Sequence, residues 1–428
     1  SKSPLEIFGF GLMALSLIRI ASTLLLFIST TAAAGNSIKS TSFLSERFDL
    51  SPGLVSNKAY YDMKFPKGHI AVKSFDAEVV DAAGNSVPLY DVYLHHWIVF
   101  KYYQRKGVNI SDYDAAIENK DIIFADIGGL CQKGYLNQFW GLGSETRKTA
   151  TFIPDPYGIE TGNPALIPSG YEEKWWLNVH AINTEGVVDR NGCLECRCSL
   201  YNSTIYSDGV SLPSGYQGGL RCCNDENQCR LTKGLKGTTR SFYLRYKVRW
   251  AEWDSSYLPV KVYILDITDS GLRSSDSSVG CKVEYQVPAC SHHTRRRGGD
   301  CSFTNKTTLT MPTGGYLIYA VSHQHVGGSG ATLYGQDGRV LCSSKPIYGR
   351  GNEAGNEKGY VVGMSTCYPK PGAVKIMDKE ALSFESTYSN KKHHYGVMSL
   401  FYMLVADELP KTKKFDAPNL ETESSPFA

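Results

Sequence analysis

The run Val92-Tyr93-Leu94-His95-His96-Trp97-Ile98-Val99-Phe100 carries β-branched and aromatic side chains with no Gly or Pro, the composition of a strand packed in a sheet. Outward from it the same texture recurs. Ile70–Phe75 and Ala77–Val80 lie upstream, closed by a turn at Ala83-Gly84-Asn85-Ser86. Downstream come Trp175–Ile182, Ser241–Trp250, Val260–Ile267, Thr307–Met311 and Tyr316–Val321, then Ala331–Tyr334 and Arg339–Leu341 on either side of an Asp337-Gly338 turn. Only Asp112–Lys120 has a helical pattern, and a short one. Many short strands with frequent turns and no long amphipathic helix predict an all-β protein made of β-sandwiches.

Composition agrees. With 42% hydrophobic and 12% aromatic residues, 41 Gly and 18 Pro among 428 positions, the chain is neither disordered nor collagen-like, and the length favours two or three domains. Forty-five Lys and Arg against 42 Asp and Glu leave a net charge of +3, which speaks against nucleic acid as a partner. Phe8–Ile28 is almost wholly apolar apart from Arg19, and Ala32-Ala33-Ala34 precedes Gly35, so residues 1–34 read as a signal peptide cut after Ala34. That predicts a secreted, extracellular protein with no stable membrane insertion after cleavage; the alternative is an anchor formed by the same segment left uncleaved.

Sequons at Asn109-Ile110-Ser111, Asn202-Ser203-Thr204 and Asn305-Lys306-Thr307 fit a glycoprotein on the secretory route. All 12 Cys follow the leader, an even number in an oxidising compartment, so disulfides are expected. Six of them, at positions 193, 196, 198, 222, 223 and 229, crowd into Asn191–Arg230, which reads as an inserted, disulfide-stapled lobe spanning 190–232. Zinc held by its Cys-x-x-Cys pair is the weaker reading there. The tail, 407–428, is rich in Lys, Glu, Pro and Ser and short of large apolar residues, and is expected to be loose.

Five His stand in or next to strand runs. His323 and His325, two apart, project on one face and can aim both rings at one metal ion. His95 and His96, being adjacent, would point to opposite faces of an ideal strand, and share an ion only at a bulge or strand end. Trp175, Leu177 and Val179 share one face and leave His180 on the other, free to complete a three-imidazole set. Late in the chain Met398, Leu400 and Tyr402 share a face; such a Met is ordinarily core, but a thioether beside two imidazoles favours copper, particularly Cu(I), whereas three imidazoles accept copper or zinc.

These residues, in this order, resemble the copper type II, ascorbate-dependent monooxygenases, the family of the peptidylglycine α-hydroxylating and dopamine β-hydroxylating enzymes. Leu94–Phe100 is similar to that family's His-His strand, with Trp97 where Met is usual; Leu177–His180 to its third-ligand strand; Val321–Gly328 to its His-x-His segment; and Met398–Tyr402 to its Met-containing strand. More closely, and over nearly the whole mature region, the chain resembles the plant stress up-regulated Nod 19 family through Tyr93–Trp97, Cys193–Cys198 with Gly219–Cys223, and Tyr319–His325. That family is named for its expression, and the chemistry comes from the more distant likeness.

The likeness to the monooxygenases implies two tandem jelly-roll-like β-sandwich domains, 40–265 with a copper on His95, His96 and His180, and 266–406 with a second copper on His323, His325 and Met398. It implies two coppers per chain, dioxygen as co-substrate, ascorbate or a similar reductant, and a small organic substrate beside Met398 and Tyr402 in the cleft between domains. His323, His325 and Met398 would be the catalytic set, with the three-His copper as an electron store. Val321 stands where the peptide-amidating enzyme has an Arg, and Leu400 replaces a polar contact, so a glycine-extended peptide is not the expected substrate. No Gly-x-Ser-x-Gly, Gly-x-x-x-x-Gly-Lys or His-Glu-x-x-His motif supports a hydrolase, nucleotide or zincin reading. The rivals are a non-catalytic extracellular stress glycoprotein that binds metal, glycan or protein, and a zinc enzyme using the three-His site alone. His393 and His394, just before Met398, are a weak alternative ligand pair, and His292-His293-Thr294-Arg295 reads as a solvated loop.

Overall fold

In the computed structural model, which describes residues 37–127, 136–204, 211–235, 237–271, 281–291 and 299–411, the run around His95 is the strand Val92–Arg105. It lies inside a five-stranded sheet ordered Val55–Tyr60, Tyr171–Asn183, Val92–Arg105, Ile122–Phe124, with Trp140–Leu142 also paired to it. The leader and almost all of the tail fall outside the described residues, as does His292-His293. Among the described residues no helix is long and apolar enough to cross a membrane.

The local signals act as their chemistry requires. Asp112 caps a short helix, Tyr113–Glu118, by accepting hydrogen bonds from the N–H groups of Asp114 and Ala115. At the turn after Val80, Gly84 sits at φ +84 and the Asp81 carboxylate accepts from the N–H groups of Ala83 and Asn85. The two runs expected upstream are one strand, Ile70–Asp81, because Asp76 and Glu78 are accommodated within it while it pairs along its length with Arg240–Glu252.

A second, ten-stranded sheet runs Lys39–Leu44, Arg240–Glu252, Ile70–Asp81, Tyr157–Thr161, Leu258–Asp266, His394–Ala406, Gly315–Gln324, Lys375–Ile376, with Phe48–Leu50 also paired to Arg240–Glu252 and Glu284–Val287 to His394–Ala406. The pairing is antiparallel except where Leu258 and Pro259 run parallel to Tyr157 and Gly158. One face of this sheet meets the five-stranded sheet across the main core, which holds Phe75, Val79, Trp97, Trp140, Leu177, Val321, Met398, Leu400 and Leu404. The other meets a four-stranded sheet, Ser302–Thr310, Ala381–Ser389, Gly328–Tyr334 and Val340–Ser344, across a second core with Leu333, Phe384, Phe401, Met403 and Val405. The strand His394–Ala406 therefore sends alternate side chains into two cores, which is why its sequence is apolar almost without interruption.

The Cys-rich segment is stapled by three nested disulfides, Cys193–Cys229, Cys196–Cys223 and Cys198–Cys222. It packs its sulfurs with Leu200 and Tyr201 onto Val55 and Ile182 at the edge of the five-stranded sheet. Cys290–Cys301 and Cys342–Cys367 add further links in the second half.

Candidate metal centre

The strand Val92–Arg105 is broken in register at the histidines. Leu94 pairs with Ala181 and His96 with His180, so His95 is the extra residue of a bulge. The bulge removes the alternation that would send His95 and His96 to opposite faces. Val179 and Leu177 point into the main core, and His180 leaves the strand on the other side, as period-two alternation requires.

The ring centres of His95 and His180 lie 4.6 Å apart, those of His96 and His180 4.9 Å, and those of His95 and His96 5.7 Å. One ligand nitrogen from each of the three falls within 4.8 Å of the others. Imidazoles bound to one ion through bonds of about 2.0–2.1 Å set their ring centres about 5 Å apart, so the spacing matches a common ion. His323 and His325 share a face of Gly315–Gln324 and its continuation, with ring centres 5.1 Å apart and nearly perpendicular. The His325 ring stands 5.0 Å from that of His95. The sequence reading divides these side chains between two separate nests; the fold brings all five rings into one contiguous cluster.

Electrostatics favour neutral rings at His95, His96, His180 and His325. Burial, reinforced by the neighbouring imidazoles, pushes His95, His180 and His325 well below the ordinary imidazole value. Burial lowers His96 to about 4 against the opposing help of its hydrogen bond to Asn178. Nδ1 of His95, Nε2 of His325 and at least one ring nitrogen of His180 are buried with no hydrogen-bond partner, the Cys223 backbone lying beside the His180 ring. Orphaned, uncharged nitrogens converging on one space carry a cost that a metal ion removes.

Neighbouring groups choose which nitrogen is free. The Asn178 amide donates to Asn57 Oδ1 and to the Lys58 carbonyl, turning its own oxygen toward His96 Nε2 at 2.8 Å. His96 Nε2 must then be the N–H, leaving Nδ1 as the ligand atom. His323 Nδ1 lies 2.6 Å from Oε1 of Glu145. Glu145 is fully buried, and although burial alone would raise its carboxyl, the His323 ring beside it and hydrogen bonds hold it below the usual carboxylate range.

Met398 is 5% exposed. The Tyr388 hydroxyl donates to the Met398 carbonyl at 2.5 Å and accepts from the His325 N–H at 2.8 Å, so it bridges Met398 and His325 just past the Gln324–Ser399 end of the ladder that pairs His323 with Leu400. Tyr402 is buried, its ring packed edge-on against Phe75 and Tyr319, and its hydroxyl donates to the Phe139 carbonyl at 2.8 Å.

His394 has both ring nitrogens engaged, Nδ1 with Glu195 at 2.7 Å and Nε2 with the Ser389 carbonyl at 3.1 Å, and His393 Nε2 meets Gln286. His394 therefore offers no free nitrogen to the cluster as it stands. A small pocket lined by Tyr93, Asn191, Leu194, Glu195, His325 and Val326 lies beside His325. The sulfurs of Cys196 and Cys223 also approach His180, but they are joined to each other, so they cover the ring as a disulfide and present no thiolate.

Sequence reasoning missed Glu145, Asn178 and Glu195. Asn178 had a usable signal, being two residues before His180 on the same strand face. Glu145 had none, since 178 residues separate it from His323.

A family model described as stress up-regulated Nod 19 matches residues 36–408. No curated protein matches. Among solved structures, the glycosylasparaginase PNGase F from Flavobacterium meningosepticum is 10% identical, with 86% of this chain and 97% of that one covered and a TM-score of 0.32. The STIV MCP is 8% identical, covering 87% and 97%, with a TM-score of 0.26. At such scores neither likeness bears on the architecture or the chemistry.

Proposed function

We propose, from the premise that the chain belongs to the stress up-regulated Nod 19 family, that it is a secreted copper-dependent oxidoreductase of the monooxygenase kind acting on a small organic substrate. The observation that carries the reading is the convergence of five imidazoles from three distant strands, several of them buried with partnerless, uncharged nitrogens. His95, His96 and His180 would hold one copper ion; His323, His325 and Met398, which adds the soft sulfur, would hold another.

When bound, copper supplies the one-electron steps of dioxygen reduction coupled to substrate oxidation, with ascorbate or a similar reductant restoring Cu(I). The chain's own residues do the rest. Asn178 fixes the free nitrogen of His96, and the Cys-rich lobe keeps water from His180. His96 and His323 are the partly exposed members, so small molecules would arrive from their side, and the contiguous rings leave no broad gap between the two sets. Tyr402 would have to release the Phe139 carbonyl before meeting a substrate.

The test is metal stripping followed by reconstitution, counting copper per chain and following ascorbate-driven oxygen uptake. Two coppers with uptake above the free-copper background is the expected result, and a chain that retains no copper against a weak chelator refutes the reading. The second reading, a metal-binding extracellular glycoprotein without turnover, is favoured by the closure around Tyr402; two tightly held coppers with no uptake would select it. Zinc retained in place of copper on the three-imidazole set alone would select a zinc site.

A further inference from the structure

We infer that Glu145 is the positioning residue for His323: it holds that ring in the Nδ1–H tautomer, so that Nε2 is the nitrogen offered to a metal. The inference rests on the copper reading for its purpose, but its geometry stands alone. The two carboxylate oxygens have separate tasks. Oε1 meets His323 Nδ1 at 2.6 Å, and Oε2 accepts the Gly143 N–H at 3.0 Å. A carboxylate accepts only, so Nδ1 must carry the proton.

The turn that carries Glu145, Ser144–Lys148, is fastened on every side. Thr146 Oγ1 accepts from the Ala77 N–H and from the Trp97 indole. The Arg147 guanidinium lies 3.2 Å from both Glu78 and Glu357 and donates to the Val87 carbonyl at 2.8 Å. Thr149 Oγ1 donates to the Glu145 carbonyl at 2.8 Å. A carboxylate on such a mount can dictate to a ring rather than follow it.

Gly143 lets the turn close in. A Cβ there would stand 2.5 Å from the His95 carbonyl, 3.0 Å from Glu145 Oε2 and 3.2 Å from His323 Cε1. The backbone of one metal-binding strand, the carboxylate and the ring from the other strand thus meet at a single glycine. The carboxylate also places a buried negative charge one ring away from the proposed cation, where it offsets part of the ion's charge.

Glu145→Gln gives a sharp test because it keeps the shape. Gly143 N–H is a fixed donor, so the single amide oxygen is claimed by it and the NH2 group is left facing His323 Nδ1. That nitrogen must then accept, and the proton moves to Nε2, closing the ligand position. Nitrogen-15 NMR of the metal-free protein reads the tautomer directly. The expected result is Nδ1–H for His323 in the parent chain and Nε2–H in Glu145→Gln, with His96 unchanged. Cu(I) affinity of the His323 set should fall by roughly 10–100-fold in the variant while that of the three-imidazole set is unaltered. Nε2–H in the parent chain, or no change of tautomer in the variant, overturns the inference. Because the tautomer is read without metal, a chain that binds no copper yet shows the Nδ1–H form refutes the proposed function and supports the role of Glu145. Glu145→Ala, monitored by thermal unfolding, supplies the second variant, and restoring Nδ1–H with no carboxylate present would also overturn it.

Discussion

Acidifying the protein from pH 7 to pH 5 should leave metal affinity at the three-imidazole set nearly unchanged. A proton competes with a metal for each lone pair, so the affinity loss per ligand is set by the fraction of ring that becomes protonated. For a ring with the ordinary value near 6.5, that loss between pH 7 and pH 5 is roughly 25-fold per ligand. For His96, lowered to about 4 by burial, it is only about 1.1-fold. His95 and His180 are displaced in the same direction and well below the ordinary value, so they too should add little. The assay is competition against a chelator whose own protonation is known, run at both pH values with copper or zinc. Asn178→Ala should not bring back ordinary pH behaviour, since burial is the main cause of the shift. A loss of several decades on acidification would mean that the rings meet water freely, and the argument from buried, uncharged nitrogens would fail.

The same displacement has the opposite consequence for the metal-free fold. His96 is neutral when folded and protonated when unfolded below pH 6.5, so the unfolded chain binds more protons and stability falls as pH drops from about 6.5 toward about 4. At pH 5 this amounts to at most about 2 kcal/mol from His96, readable as a lower urea midpoint that His96→Gln removes. Asn178→Ala should free the His96 ring and lower affinity at that set by roughly 10–100-fold without unfolding the sheet, checked by titration and circular dichroism. Gly143→Ala should cost about 1–3 kcal/mol, because its Cβ has no room against the His95 carbonyl, and should perturb the NMR signals of both His95 and His323. Replacing Cys196 and Cys223 together with Ser should cost about 2–4 kcal/mol and open His180 to diethylpyrocarbonate, which the parent chain should resist.

Much of the fold is written locally. Strand texture, the turn chemistry at Asp81–Asn85 and the alternation that puts Val179 inward and His180 outward all follow from neighbours along the chain. The bulge at His95 is half legible: adjacency of two histidines states the geometric problem, and only pairing with Ala181 and His180 states the solution. What could not be read is how the end of Gly315–Gln324 is placed against Val92–Arg105. That depends on packing between sheets, and it decides whether His325 sits beside His95 or far from it. The partners of the rings are illegible for the same reason, Glu145 above all, because a carboxylate in a short turn has no periodicity to betray it.

The strand His394–Ala406 has one further consequence. From Met398 to Ala406 its even-numbered side chains touch the compartment that holds Met398, and Phe401, Met403 and Val405 the compartment beyond, so this stretch is a party wall between two rooms. A change at Phe401 or Met403 that never approaches a histidine still tilts the wall, and the tilt is inherited by Met398 and Leu400 on the other side. Variation in the far room is thereby coupled to the packing of the near one.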